Sequence, residues 1–354
     1  MRNFGSLSIS GYKFVQSYDL FRVADHIYYK LQHKTKQGLH NTYFLGITNR
    51  IAGNHFFNSI SFDHKPWVTT FETLVPRLGR MGSFYHGLAV KQIVSAYCRS
   101  IIPISQSAND IMCSMLSQHY PDLMDAVKAK MTIIHPPQKV YIHQKNGNNA
   151  EKVHFLFVGR QFFRKGGMEM LIVFDKLIEK GYPIHLTIVS NIEFGDYITK
   201  TTDADKQAAL SIIHNHPESI THYTKLKNDE VIALFKQVDV SLLPTLQDTY
   251  GYSVLESQAC GCPVISTDLR ALSEINSEET GWIIPVKHLG YSGETEVRKV
   301  ISEQIISRLE SIVLNVIEYP ESIVKKGNKS IDRIEKYHNP ENVSKKLRKI
   351  YDTF

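Results

Sequence analysis

Cysteine is scarce in this chain: 354 residues hold four, Cys98, Cys113, Cys260 and Cys262. They are too few and too uneven to staple a disulfide scaffold, so a reducing compartment is expected. Cys260-Gly-Cys262 has no second ligand pair beside it, which argues against structural zinc. The histidine sites, His33, His135 and the pair His214 and His216, show no ligand spacing either. Long apolar runs are also missing. No stretch approaches the roughly twenty residues of a spanning helix, and the first thirty residues lack a leader's apolar core. Neither export nor membrane spanning is therefore expected. Internal repeats, low-complexity tracts and a basic stripe interleaved with aromatics are all absent, and without such a stripe nucleic acid is not an expected partner.

What remains is an ordinary globular composition, 42% hydrophobic and 21% charged. The length exceeds what one core usually serves, which predicts two domains. Net charge is +6, with a sequence pI near 8.9. The basic residues are scattered except for Lys345, Lys346, Arg348 and Lys349, which form either a weakly lipid-attracting patch or a solvated helix face.

Short apolar runs alternate with helical periodicity, the pattern of α/β layers with parallel sheets. Strands are predicted at 153–158, 183–189, 220–223, 238–243, 263–267 and 282–285, with helices at 168–180, 228–237 and 253–259. The first half is less regular. It suggests strands at 42–47, 67–71, 101–104 and 131–134 and helices at 19–32 and 82–99. The polar stretch 144–152 reads as a linker. Residues 1–145 and 146–330 are then two Rossmann-like domains, and 331–354 supply a C-terminal helix. Open α/β domains place ligands at the C-terminal ends of their strands.

Two segments carry chemistry. In Phe157-Val-Gly-Arg-Gln-Phe-Phe-Arg-Lys-Gly166 a buried strand ends at Gly159 and yields to a loop whose glycines open a helix. Bare N–H groups there, with Arg160 and Lys165, suit a diphosphate. The alternative is a turn decorated with surface charge. In Asp248-Thr-Tyr-Gly-Tyr-Ser-Val-Leu-Glu256 two carboxylates stand eight residues apart around Gly251. Such groups can accept hydrogen bonds from sugar and ribose hydroxyls, or can serve as a turn residue and a solvated helix residue.

Together with Ala259-Cys-Gly-Cys-Pro-Val-Ile265 and Gly281-Trp-Ile-Ile-Pro285, these segments resemble the retaining, family 4 type glycosyltransferases of the GT-B fold (glycosyl transferases group 1). The likeness covers residues 153–286. It implies an α/β GT-B fold, two Rossmann-like domains facing each other across a cleft, and transfer of a sugar from a nucleoside-diphosphate sugar to a glycan, lipid-linked or polysaccharide acceptor. By the same resemblance Arg160 and Lys165 would hold the diphosphate, so that no metal and no cofactor is needed. Glu256 would bind the ribose, Leu226 would lie against the base, and Gly159 would end the phosphate-facing strand. Gly251, Tyr252 and Ser253 would present backbone N–H groups to the donor, and Asp248 would meet the donor sugar. The last helix would cross back onto the first domain. The resemblance also implies a cytoplasmic protein of polysaccharide biosynthesis, with peripheral contact at the inner face of the membrane.

Three departures from the family pattern stand out. The first carboxylate is Asp248 where the family has Glu. In the first domain Trp67-Val-Thr-Thr-Phe-Glu72 has Glu72 where relatives often carry His, so Glu72 either orients an acceptor hydroxyl or simply ends a strand. The segment Phe4–Gly11 is at best a weak form of the usual glycine-rich opening. Arg77 and Arg80 either meet an acidic acceptor or are solvated. The rival readings are a metal-dependent transferase using Asp203-Ala-Asp205, a sugar-nucleotide epimerase or phosphorylase, and a nonenzymatic nucleotide-binding subunit.

Overall fold

The computed structural model describes residues 4, 7–15, 19–32, 37–46, 52–77, 83–147, 151–195, 199–290 and 295–354. The chain divides into two compact units. One comprises Met1–Pro137 with Pro340–Phe354, the other Gln138–Asn339.

In the first unit β1 (Thr42–Tyr43), β2 (Asn54–Phe57), β3 (Ile60–Ser61), β4 (Trp67–Phe71) and β5 (Cys98–Pro103) form two parallel arrays, β1-β3 and β2-β4-β5. β4 is central, and all five of its residues are buried. That explains its β-branched and aromatic content, since a strand covered on both faces carries no polar alternation. Trp67 and Phe71 pack with Ile93, Ile101, Met112 and Leu116 into one core.

The first half departs from its sequence reading in several places. The helix expected at 82–99 spans Ser83–Val94 and gives way to β5, because Cys98, Ile101 and Ile102 are claimed by the sheet. The strand expected at 131–134 reduces to a single parallel bridge between Met131 and Ile101. The strand expected at 42–47 ends at Tyr43, and residue 47 and Arg80 lie outside the described residues. Several elements were not anticipated, among them β2, β3 and the helix Gln106–His119. That helix is capped by Ser105, whose hydroxyl accepts from the Ala108 N–H at 3.0 Å.

The second unit holds β6 (Val153–Val158), β7 (Ile184–Val189), β8 (Ile220–Tyr223), β9 (Val240–Leu243), β10 (Val264–Thr267) and β11 (Gly281–Ile284). They make one six-stranded parallel sheet in the order β11-β10-β9-β6-β7-β8. The chain starts in the middle at β6, steps outward to β8, then returns to β9 and steps the other way. The order therefore reverses between β6 and β9, which makes the C-terminal ends of these two neighbours a topological switch point.

The helices Gly167–Glu179, Asp203–Asn215, Asn228–Gln237 and Tyr252–Ala259 connect the strands. The polar start of the second is a capping box, in which the Thr202 N–H donates to Asp205 Oδ2 at 2.7 Å. Residues around 138–147 pack on this unit: the Tyr141 N–H donates to the Ala259 carbonyl at 2.8 Å, and the Lys145 N–H to Asn328 Oδ1 at 2.9 Å. Among the described residues no helix is long and apolar enough to cross a membrane.

Candidate functional site

β6 ends just before Gly159, and the loop to the helix Gly167–Glu179 turns through Gly166, which has φ +77°. A Cβ there would stand 1.9 Å from the Pro244 carbonyl oxygen, so glycine is required for both conformation and space. The contact fastens the β6 loop to the loop that follows β9. Two hydrogen bonds extend the seam, from the Leu246 N–H at 3.0 Å and the Thr245 hydroxyl at 3.1 Å to the Arg164 carbonyl. Thr267 in turn donates its hydroxyl to the Thr245 carbonyl at 2.9 Å, tying the seam to β10. Neither sequence motif singles out Thr245; the signal available was its place directly after the Pro that ends a fully buried strand.

Along this seam Lys165 meets Asp248, Nζ to Oδ2 at 3.0 Å, with the two side chains 17% and 13% exposed. The lysine stem lies over Gly159, where a Cβ would come within 2.5 Å of Lys165 Cδ. Asp248 Oδ1 faces the other way and accepts from the Tyr250 N–H at 3.3 Å and the Gly251 N–H at 3.2 Å. Burial pushes its carboxyl up, but the Lys165 charge and hydrogen bond, the Tyr250 N–H and the Arg164 charge together hold it below the ordinary carboxylate value. Asp248 is thus an ionised bridge between a cation and the turn that starts the next helix.

That turn runs through Gly251, at φ +89°, where an added Cβ would meet Leu272 Cδ2 at 2.5 Å. Tyr252 and Ser253 then open the helix Tyr252–Ala259, so their N–H groups lie at its positive end. Glu256 sits one turn further on, half-buried. After burial and a Gln138 hydrogen bond, its charge is the next influence on the Tyr141 phenol, whose pKa is raised overall. The structure therefore assembles Gly159, Lys165, Asp248, Gly251, Tyr252 and Ser253 at one switch point.

The other candidates stand apart from this group. Arg160 is 88% exposed and, among the described residues, lies 3.9 Å from Glu193. Leu226 follows β8 and packs against the cluster of Val189, Val231 and Phe235. Glu72 belongs to the first unit, at the end of β4, where its N–H donates to Asn58 Oδ1 at 3.1 Å. Asp203 and Asp205 occupy the first turn of a helix, and Asp205 is spent on the Thr202 cap.

Comparison with known proteins adds the following. Residues 139–310 match the family model described as glycosyl transferases group 1. The uncharacterized glycosyltransferase MJ1607 of Methanocaldococcus jannaschii is 24% identical over 237 residues, 62% of this chain and 56% of that protein. The capsular polysaccharide biosynthesis glycosyltransferase CapM of Staphylococcus aureus is 25% identical over 218 residues, 59% of this chain and 50% of its own length. The matched region thus spans about half the length of these relatives. Among solved structures, Anabaena HepE in complex with UDP and glucose superposes with a TM-score of 0.57 at 11% identity, over 82% of this chain and 72% of that one. The likeness establishes the fold, mixed α/β of the GT-B type.

Proposed function

We propose, from the match of residues 139–310 to the model of glycosyl transferases group 1, that this protein is a retaining glycosyltransferase. It moves a sugar from a nucleoside-diphosphate sugar to a glycan, lipid-linked or polysaccharide acceptor, in the cytoplasm. The observation that carries the reading is the Lys165–Asp248 pair, 3.0 Å apart at the switch point and joined to the N-terminal end of Tyr252–Ala259. A cation, a glycine-lined turn and a helix N-terminus converging on one place are what a diphosphate requires. The relatives favour this chemistry: HepE was solved with UDP and glucose, and CapM belongs to capsular polysaccharide biosynthesis.

In this reading Lys165 and Arg160 bind the diphosphate and stabilise the charge that builds on the leaving phosphate, so no metal is needed for that step. Asp248 holds the Lys165 ammonium in place through Oδ2 and meets hydroxyls of the donor sugar. Gly251 gives its N–H to Asp248, so the N–H groups of Tyr252 and Ser253 steady the donor, while Glu256 accepts from the ribose hydroxyls and Leu226 lies against the base. Holding the donor and acceptor in line accounts for the rest of the acceleration.

The test is thermal stabilisation by a panel of nucleoside diphosphates and their sugars. One diphosphate, at a hundredfold excess over its Kd, is expected to add about 2.7 kcal/mol. The gain should be lost in Arg160→Ala and Glu256→Ala and be insensitive to chelator. No response to any nucleotide would sink the donor site. With donor and acceptor supplied, NMR of the product should show the anomeric configuration of the donor kept.

A further inference from the structure

The helix Thr295–Glu318 lies against Gly167–Glu179 and carries Ile301 and Ile305 into the core of the second unit. Beside those two, polar side chains of the same helix turn toward buried partners. Ser302 donates its hydroxyl to Glu169 Oε1 at 2.7 Å, and Arg298 Nη1 donates to the Thr199 carbonyl at 3.1 Å. Glu169 is 7% exposed, in the first turn of Gly167–Glu179. Burial raises its pKa, while the Ser302 hydrogen bond and the Arg298 charge pull the other way. Four residues from three segments therefore form one largely buried polar cluster.

Packing alone does not account for these residues. Glu169 Oε2 and the Thr199 hydroxyl are buried without a hydrogen-bond partner among the described residues. Polar atoms left so cost stability that apolar side chains would not. What the cluster joins supplies the reason. Glu169 stands four residues after Lys165, on the turn that the β6 loop enters through Gly166. Thr199 belongs to the connection that leaves β7, where the Gly195 N–H donates to the Thr201 carbonyl at 2.9 Å. On that connection Asn191 Nδ2 donates to Glu193 Oε1 at 2.6 Å, and Glu193 faces Arg160 at 3.9 Å. One helix thus fastens both the loop that bears Lys165 and the segment that meets Arg160.

We propose that Arg298, with Ser302 and Glu169, is a positioning residue for donor binding. It fixes the β6 loop and the β7 connection relative to each other, so that Lys165 and Arg160 stand where a diphosphate needs them, without touching the donor itself. This role rests on the donor-site reading above. It lies outside both sequence motifs and adds a third stretch of chain, Arg298 to Ser302, to the site's support.

The experiment is calorimetric titration of the full chain with nucleoside diphosphates, alongside melting temperature, for Arg298→Met, Glu169→Leu and the two combined. Arg298→Met alone leaves Glu169 buried without its counter-charge and should lower the melting temperature. In the combined variant apolar side chains replace the pair, so the melting temperature should return to the wild-type value or above it. Kd should nevertheless stay at least about tenfold weaker, because small displacements of positioning groups are enough for that. Without nucleotide, the amides of 190–195 should exchange faster in the combined variant while those of β6 and β9 stay protected. Recovery of Kd together with melting temperature, or unchanged exchange at 190–195, would make the cluster a packing feature and overturn the proposal. If the combined variant does not fold, Ser302→Ala decides: it loses one half-buried hydroxyl and should weaken Kd about threefold, and a wild-type Kd would overturn the proposal. A wild type that binds no nucleotide would remove the donor site and this role with it, so failure of the reading appears in the wild type and failure of the role only in the variants.

Discussion

Arg160 and Lys165 are equivalent as motif positions but differ as residues in the fold. Arg160 is 88% exposed, whereas Lys165 is 17% exposed and paired to Asp248 at 3.0 Å. Replacing each by Ala should cost turnover about a hundredfold, the scale of removing one charge-stabilising donor. Only Lys165→Ala should also lower the melting temperature, since it strands a buried carboxylate and costs about 3 kcal/mol. Equal stability of the two variants would show that the pair adds nothing to the fold. The pH dependence carries a sign. The folded Asp248 carboxyl lies below its ordinary value, so its stabilising contribution is complete above that ordinary value and is lost as pH falls through the folded one. Stability near neutrality should therefore not vary with pH through this group.

Among the elements, the glycine that joins two loops is the sharpest test of how the site is built. Gly166→Ala forces an L side chain into φ +77° and against the Pro244 carbonyl. Destabilisation of at least about 2 kcal/mol is expected, with nucleotide stabilisation lost along with it, and calorimetry with and without diphosphate checks both. A variant of wild-type stability would mean that the β6 loop is not fixed to the β9 loop. The strands of the second unit were legible because a parallel sheet buried on both faces leaves short, unbroken apolar runs, such as Phe155-Leu-Phe157. β2 was not legible, since Asn54-His-Phe-Phe57 is too short and too polar to show a period. The helix Asp203–Asn215 hid behind its capping box, whose acidic residues resemble a loop. The two motifs of the site could be found in sequence, but the ion pair between them could not. Lys165 and Asp248 are 83 residues apart, and only the neighbour relation of β6 and β9 brings them together.

At the scale of the whole molecule, the chain leaves the first unit after Pro137 and returns to it at Pro340, so that unit is completed only by the last fifteen residues, Pro340–Phe354. Val343, Leu347 and Tyr351 are 3%, 1% and 3% exposed, and Phe354 lies against Gly53. Burial of three such side chains contributes about 5 kcal/mol, comparable to the whole stability of many domains. Tyr351 also hydrogen-bonds His55 Nδ1 at 2.5 Å, and Thr70 faces His55 Nε2 at 2.6 Å. Burial lowers the His55 pKa from 6.5 to about 4. A folded value below the unfolded one means that the stabilising contribution is complete above about pH 6.5 and drains away as pH falls toward 4. After allowance for the ring's partial exposure, the loss is about 2 kcal/mol. Deleting residues 340–354 should therefore open the first unit to protease between 52 and 137, while a diphosphate still stabilises the second. In the intact chain, His55→Gln should flatten the acid limb of the first unit's stability between pH 6.5 and 4. If truncation abolished the nucleotide response as well, the two units would have to fold as one cooperative body. If His55→Gln left the acid limb unchanged, the proton uptake would belong to another group of the first unit.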